Sequence, residues 1–177
     1  MALSTKNLTP RIATEILADK KTLLSGVHAD EIRELLEQRG VLVFPRINFT
    51  DEEQIAFTKT LGTFAPEMRG EKIYKISLDK TQTSTADYLK GTFFWHFDGF
   101  MNKVPILASL LSSKVLDPQG RGNTEFANTY AAYEALPDAD KALIERLKVI
   151  HRVESSFRFV PDLTEEQIAA FRAHTPT

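Results

Sequence analysis

Two segments of the sequence place a histidine and an aspartate two residues apart: "HAD" at 28–30 and "HFD" at 96–98. Neutral imidazole and carboxylate are the ligand types of non-haem Fe(II), whose facial triad is completed by a second histidine. On an extended segment, residues i and i+2 project from the same face, so His96 and Asp98 would point together. The aromatic rings of Trp95 and Phe97 would exclude water from one side of the pair, and Gly99 would let the chain turn sharply after the carboxylate. The pair at 96–98 is therefore a candidate for two ligands of one metal ion.

Each pair also has a structural explanation that requires no metal. Asp30 stands where a helix N-cap is expected, which would leave His28 in a solvated lead-in and account for both residues. His96 and Asp98 would equally suit a buried histidine hydrogen-bonded to a nearby carboxylate. A two-ligand pattern occurs often by chance, so the pair at 96–98 leaves both interpretations open.

Helices and strands on either side must position this pair. "ADEIRELLEQRG" predicts a helix that is capped by Asp30 and ends at Gly40, followed by a strand at 41–44. "TDEEQIAFTKTLG" predicts a second helix, with Thr50 and Glu53 at capping-box spacing. Strands are predicted at 72–77, 105–116 and 124–128, and a loop at 80–92. Further helices are predicted at 130–136, 138–150 and 164–174, the last with Thr164 and Gln167 as a capping box and Leu163 and Ile168 as a hydrophobic staple.

Composition narrows the class of protein. A chain of 177 residues with 42% hydrophobic content can bury the core of one ordinary domain. The absence of cysteine excludes disulfides, thiolate metal sites and cysteine nucleophiles. A net charge of -2 gives no sign of nucleic-acid binding, and no apolar run reaches membrane-spanning length. We expect a cytoplasmic protein that acts on a small molecule, with homo-oligomerisation left open.

Four segments, in order along the chain, resemble the Fe(II)/2-oxoglutarate-dependent dioxygenases related to taurine dioxygenase and 2,4-dichlorophenoxyacetate dioxygenase. They span residues 30–177 with few gaps. "WHFDGF" is similar to the metal motif of that family. The other three are "RGVLVFPRINFTDEEQIAFTKTLGTF", "GRGNTEFANTYAAYEALP" and "LKVIHRVESSFRF".

The resemblance implies a site and a fold. His96 and Asp98 would be iron ligands, Thr124 would contact a carboxylate of 2-oxoglutarate, and Thr92 would lie near the substrate. The cofactors would be Fe(II), with 2-oxoglutarate and O₂ as co-substrates. The fold would be α+β: a double-stranded β-helix (jelly roll) of the clavaminate synthase type with flanking helices, incomplete in this chain. The reaction would hydroxylate a small organic acid, such as a sulfonate or aryloxyalkanoate, with release of succinate and CO₂.

The family's third ligand, a histidine, and its 2-oxoglutarate-binding arginine have no counterpart among these residues. His151 and His174 are not predicted to lie on strands near the pair, which argues against either as the third ligand. The Gly120–Gly122 segment is predicted to be a turn. We therefore expect 1–177 to be a single domain, roughly the N-terminal three-fifths of a family member, with the missing groups beyond Thr177. The alternatives are a non-catalytic or truncated member that acts as a binding or structural domain, and another His/carboxylate metalloenzyme of the cupin type. The remaining arginines are expected to be surface charges: Arg121, Arg152, Arg158 and Arg172.

Overall fold

The computed structural model describes residues 3–66, 72–82, 89–99, 104–150 and 163–174. The chain forms two compact units. The first comprises Met1–Lys72 with Leu110–Arg146, and the second comprises Ile73–Ser109 with Leu147–Thr177.

The first unit begins with a three-stranded sheet in the order β1-β2-β3. Strand β1 (Ser4–Asn7) pairs antiparallel with β2 (Thr14–Leu17), and β2 pairs in parallel with β3 (Leu42–Val43). Thr14 and Ile16 are fully buried, so β2 turns alternate residues into the core. The predicted strand at 41–44 is confirmed as β3, whereas β1 and β2 were not predicted.

Helix α1 (Lys20–Leu24) precedes helix α2 (Ala29–Arg39), which confirms the helix predicted here. The prediction that Asp30 caps α2 is wrong, because the N-cap is His28 and Asp30 lies in the first turn. There its carboxylate stands near the positive end of the helix dipole. The helix ends as predicted at Gly40, whose φ of 67° is left-handed and whose N–H donates to the Leu36 carbonyl.

Helix α3 (Asp51–Leu61) confirms the predicted capping box. The Thr50 hydroxyl accepts from the Glu53 N–H at 3.2 Å, and the Glu53 carboxylate accepts from the Thr50 N–H at 2.8 Å. One side of α3 turns Phe57 into the core, where it contacts the rings of Phe44 and Phe49. The core is completed by Ile16, Leu23 and Ile32.

The second stretch of this unit is mostly irregular before helices α4 (Thr129–Glu134) and α5 (Asp138–Ile144). Both helices were predicted, although α5 ends six residues earlier than expected. The strands predicted at 105–116 and 124–128 are wrong for the described structure, in which these residues have no strand partner. Their apolar side chains are largely exposed, with Val115 at 92%. An apolar strand needs both a hydrogen-bonded neighbour and a surface to cover, and neither is met here.

In the second unit a 3₁₀ turn (Lys90–Phe93) precedes the candidate pair, and helix α6 (Glu165–His174) lies near the carboxyl end. The capping box of Thr164 and Gln167 is confirmed by reciprocal hydrogen bonds. The strand predicted at 72–77 is wrong for the described structure, in which these residues are irregular. The jelly roll thus stays a prediction, since the described residues contain only the sheet β1-β2-β3. Among the described helices, none combines the length and apolar character that a bilayer crossing requires.

Candidate metal centre

His96 lies in the irregular segment directly after the 3₁₀ turn, and its ring is oriented by the backbone. Its Nδ1 is 2.7 Å from the carbonyl oxygen of Phe94. A carbonyl can only accept, so Nδ1 carries a proton in this contact, and a neutral ring with that proton has a lone pair on Nε2. Metal-binding histidines are commonly held by such a hydrogen bond from their second nitrogen.

The Nε2 of His96 faces the carboxylate of Asp98, with 3.7 Å between Nε2 and Oδ1. Two neighbouring ligands of one divalent ion, each bonded at about 2.1 Å, lie about 3 Å apart when they meet at a right angle. The side chains of His96 and Asp98 are 47% and 70% exposed, so both can close the remaining gap by small rotations. The donor types and their spacing are compatible with two positions of a metal site, and the assignment of His96 and Asp98 as ligands stays a prediction.

A third ligand is not found in the part of the chain that the structure describes. No group of three histidine, aspartate or glutamate side chains there is arranged to hold a metal ion. His174 is the last residue of α6. His151, Arg152 and Arg158 lie outside the described residues, so the predictions for them stay untested.

The other histidine–aspartate pair, "HAD", has a structural role. The ring of His28 lies 3.0 Å from the carboxylate of Glu31, one turn further along α2, instead of facing Asp30. Glu31 in turn accepts a hydrogen bond from the backbone N–H of Leu3 at 3.0 Å. His28 is mostly buried rather than solvated as we expected, and this network ties Leu3, directly before β1, to the first turn of α2.

Thr124 belongs to the first unit and lines a surface cavity of about 260 Å³. The prediction that Thr124 begins a strand is wrong, since residues 121–128 are irregular. Gly120 and Gly122 have φ values of 70° and 81° and are turn residues, as predicted. Arg121 is the exposed surface charge that we expected, and its guanidinium donates to Asp117 at 2.8 Å.

Thr92 lies in the 3₁₀ turn, four residues before His96. Its hydroxyl donates to the carbonyl of Leu89 at 2.7 Å, and Leu89 itself is buried. This hydrogen bond uses the hydroxyl proton and leaves the Thr92 oxygen as an acceptor. Its suggested place near the substrate stays a prediction.

Sequence reasoning missed the carbonyl that orients the imidazole. Every residue carries such a carbonyl, so no residue type marks the one at Phe94. A second omission is the cavity of about 410 Å³ that is bordered by Phe97, Asp98 and residues 105–109. Its volume falls in the range of about 300–1,000 Å³ that is usual for small-molecule sites. The prediction of 105–116 as a strand gave no reason to expect it.

Comparison with known proteins gives consistent results. The family model of the Taurine catabolism dioxygenase TauD, TfdA family matches residues 4–177. An alpha-ketoglutarate-dependent 2,4-dichlorophenoxyacetate dioxygenase of Cupriavidus pinatubonensis is 30% identical over 175 residues, covering 89% of this chain and 60% of that protein. An alpha-ketoglutarate-dependent sulfate ester dioxygenase of Pseudomonas putida is 29% identical over 170 residues, covering 92% of this chain and 54% of that protein.

A solved structure is also similar: AAD-2 in complex with Mn(II) and N-oxalylglycine. It superposes with a TM-score of 0.76 at 29% identity, covering 96% of this chain and 64% of that one. The chain therefore spans about three-fifths of the length of the first curated relative and of this solved protein.

Proposed function

Because the chain belongs to the taurine catabolism dioxygenase TauD, TfdA family, we propose that it is part of an Fe(II)- and 2-oxoglutarate-dependent dioxygenase. The reaction is the hydroxylation of a small organic acid, with one oxygen atom of O₂ entering the substrate and the other entering succinate as 2-oxoglutarate loses CO₂. His96 and Asp98 supply two of the iron ligands. Family membership agrees with the resemblance drawn from the sequence.

The observation that carries this proposal is the geometry of His96. Its Nδ1 is bonded to the Phe94 carbonyl, and its Nε2 lies 3.7 Å from the Asp98 carboxylate. A histidine held by Asp98 alone would show a hydrogen bond of about 3 Å between ring and carboxylate. At 3.7 Å the described residues show no hydrogen bond between the two groups, and the two donors are near enough to share one ion after small rotations. AAD-2, the similar solved protein, was crystallised with Mn(II), which is a divalent ion that oxygen and nitrogen ligands bind.

Fe(II), when bound, supplies the activation of O₂ and the oxidative decarboxylation of 2-oxoglutarate. The chain's own residues bind and orient the reactants and exclude water. His96 and Asp98 fix the ion, and the Phe94 carbonyl keeps the imidazole in its binding tautomer. Thr124 is assigned the contact with a 2-oxoglutarate carboxylate, for which a hydroxyl is a compact donor.

The substrate class follows from the relatives' names and the cavity at Asp98. Those names include a 2,4-dichlorophenoxyacetate dioxygenase and a sulfate ester dioxygenase, and both named compounds are organic anions. Phe97, Ile106 and Leu107 border the cavity and would contact the carbon skeleton of such a substrate. Thr92 is the assigned polar contact, through its hydroxyl oxygen.

The test is metal binding at His96. Mn(II) is titrated into the complete gene product without 2-oxoglutarate, and paramagnetic broadening of the His96 and Asp98 resonances is followed by NMR. We expect selective broadening at these residues, and its loss in His96→Ala and in Asp98→Ala. His28→Ala is the matched control and keeps the broadening, because His28 is bonded to Glu31. An equal loss in His28→Ala, or no broadening at His96 in the unaltered protein, would contradict the proposal.

A further inference from the structure

We propose that Ile106 is a positioning residue for the metal site, because its side chain packs on Gly99 and so fixes the turn that carries the Asp98 carboxylate. This inference rests on the proposed function, in which Asp98 is a metal ligand. It assigns a role to an aliphatic residue that is eight positions away in the sequence and that has no metal-binding atom of its own.

The Ile106 side chain occupies the space beside Gly99 in which a side chain at position 99 would stand. A Cβ built on Gly99 would lie 2.6 Å from both Cγ1 and Cδ1 of Ile106 and 3.1 Å from its Cβ. Carbon atoms at van der Waals contact stand about 3.5–4.0 Å apart, so the isoleucine fills the space that any larger residue at 99 would need. Gly99 also has a φ of 70°, which favours glycine over residues that carry a side chain.

Asp98 depends on this turn because little else restrains it. Its side chain is 70% exposed, and among the described residues its polar contact is the His96 ring at 3.7 Å. The backbone at 98–99 therefore sets the direction of the Asp98 Cα–Cβ bond, and with it the range of positions that the carboxylate can reach. Ile106 lies beside Gly99 and borders the same cavity as Asp98.

Ile106 can serve this role without being essential to the fold. It is 40% exposed and is not a member of the hydrophobic core around Phe57. Removal of its Cγ and Cδ atoms would let the turn at Gly99 relax and would widen the range of carboxylate orientations. Loss of a group that orients a ligand typically lowers metal affinity by about 10–100-fold.

The experiment measures the Mn(II) dissociation constant of the complete gene product by the broadening of the His96 resonances. We expect Ile106→Ala to weaken binding about 10-fold. Ile106→Val keeps both branches at Cβ and loses only one methyl group, so its Mn(II) dissociation constant should stay within about 3-fold of that of the unaltered protein. Ile76→Ala is the matched control: Ile76 is exposed, belongs to the same unit and loses the same atoms.

A double-variant cycle keeps the inference testable if one variant folds poorly. Gly99→Ala alone should weaken Mn(II) binding, because the added methyl collides with Ile106. In Gly99→Ala with Ile106→Ala the collision is removed, so the combined loss should be smaller than the product of the two single losses. If the unaltered protein shows no broadening at His96, the proposed function fails. Two other results would leave the metal site standing and show that the positioning role of Ile106 is wrong. One is an Mn(II) dissociation constant of Ile106→Ala within about 2-fold of the unaltered protein, and the other is a loss in the double variant equal to the product of the two single losses.

Discussion

Arg39, the last residue of α2, ties this helix to the turn between β1 and β2. Its guanidinium donates to the Thr14 hydroxyl at 3.0 Å and to the carbonyls of Thr9 at 2.7 Å and Pro10 at 3.0 Å. Thr14 is fully buried, and its own proton goes to the Asn7 side chain at 2.8 Å. Replacement by methionine keeps the chain length and removes every donor.

We expect Arg39→Met to lower the free energy of unfolding of the first unit by about 3 kcal/mol. The Thr14 contact accounts for about 2 kcal/mol, since its loss leaves a buried oxygen with an unused acceptor site. Each carbonyl accounts for about 0.5 kcal/mol, because water can replace the lost donor at these exposed positions. Arg39→Lys should lose less, because one ammonium can still reach some of the acceptors.

The assay is guanidinium unfolding followed by the helical circular dichroism signal. Arg33→Met on the exposed side of the same helix is the control and should stay within about 0.5 kcal/mol of the unaltered protein. A loss below about 1 kcal/mol in Arg39→Met, or one equal to that of Arg33→Met, would refute the reasoning.

Three other outcomes are expected in the first unit. Phe57→Ala should lower the free energy of unfolding by about 3–5 kcal/mol, because the ring is buried against Phe44 and Phe49. Phe126→Ala, at an exposed position, should lower it by under about 0.5 kcal/mol. Similar losses from both variants in denaturant unfolding would contradict this. Thr50→Ala should lower the free energy of unfolding by about 1 kcal/mol in the same assay, whereas Thr50→Ser keeps a capping hydroxyl and should lose less. Equal losses in the two variants would rule out capping by the hydroxyl. Hydrogen bonds from the Lys20 ammonium, the larger effect, and from the Thr50 N–H hold the pKa of Glu53 below its usual range. The ionised Glu53 carboxylate therefore stabilises the fold at neutral pH, and this stabilisation is lost as the pH falls through the lowered pKa. Unfolding measured across the acid range should show a weaker pH dependence in Lys20→Met, and an unchanged dependence would contradict the pairing.

Elements whose signals lie within a few residues were predictable from the sequence. Thr50 with Glu53, and Thr164 with Gln167, each form a capping box inside one turn of chain. Gly40 ends α2 for an equally local reason, its left-handed φ. The cap of α2 was misplaced by two residues, because Asp30 suits a first-turn position as well as an N-cap.

Strands were predicted poorly because their formation depends on partners elsewhere in the chain. "STKN" in β1 lacks apolar alternation and is a strand because it pairs with β2. Conversely, residues 105–116 have the composition of a strand but no paired neighbour among the described residues. Apolar content alone thus identified segments with the composition of strands, but it did not show which other element would pair with them or pack on them.

The sequence predicted the donor types of the candidate site and not the contacts around them. The spacing of His96 and Asp98 placed both donors on one side, and the structure brings their facing atoms to 3.7 Å. The Phe94 carbonyl and the Ile106 side chain could not be inferred, since one is a backbone group and the other depends on a contact across the turn.

The measurement that tests the central claim most directly is the visible spectrum of the complete gene product with Fe(II) and 2-oxoglutarate in the absence of O₂. If His96 and Asp98 bind an iron that also holds 2-oxoglutarate, a charge-transfer band appears on addition of both. It should then be absent in His96→Ala and Asp98→Ala and present in His28→Ala. A spectrum without the band in the unaltered protein, or a band that persists in both ligand variants, would contradict the assignment of this pair.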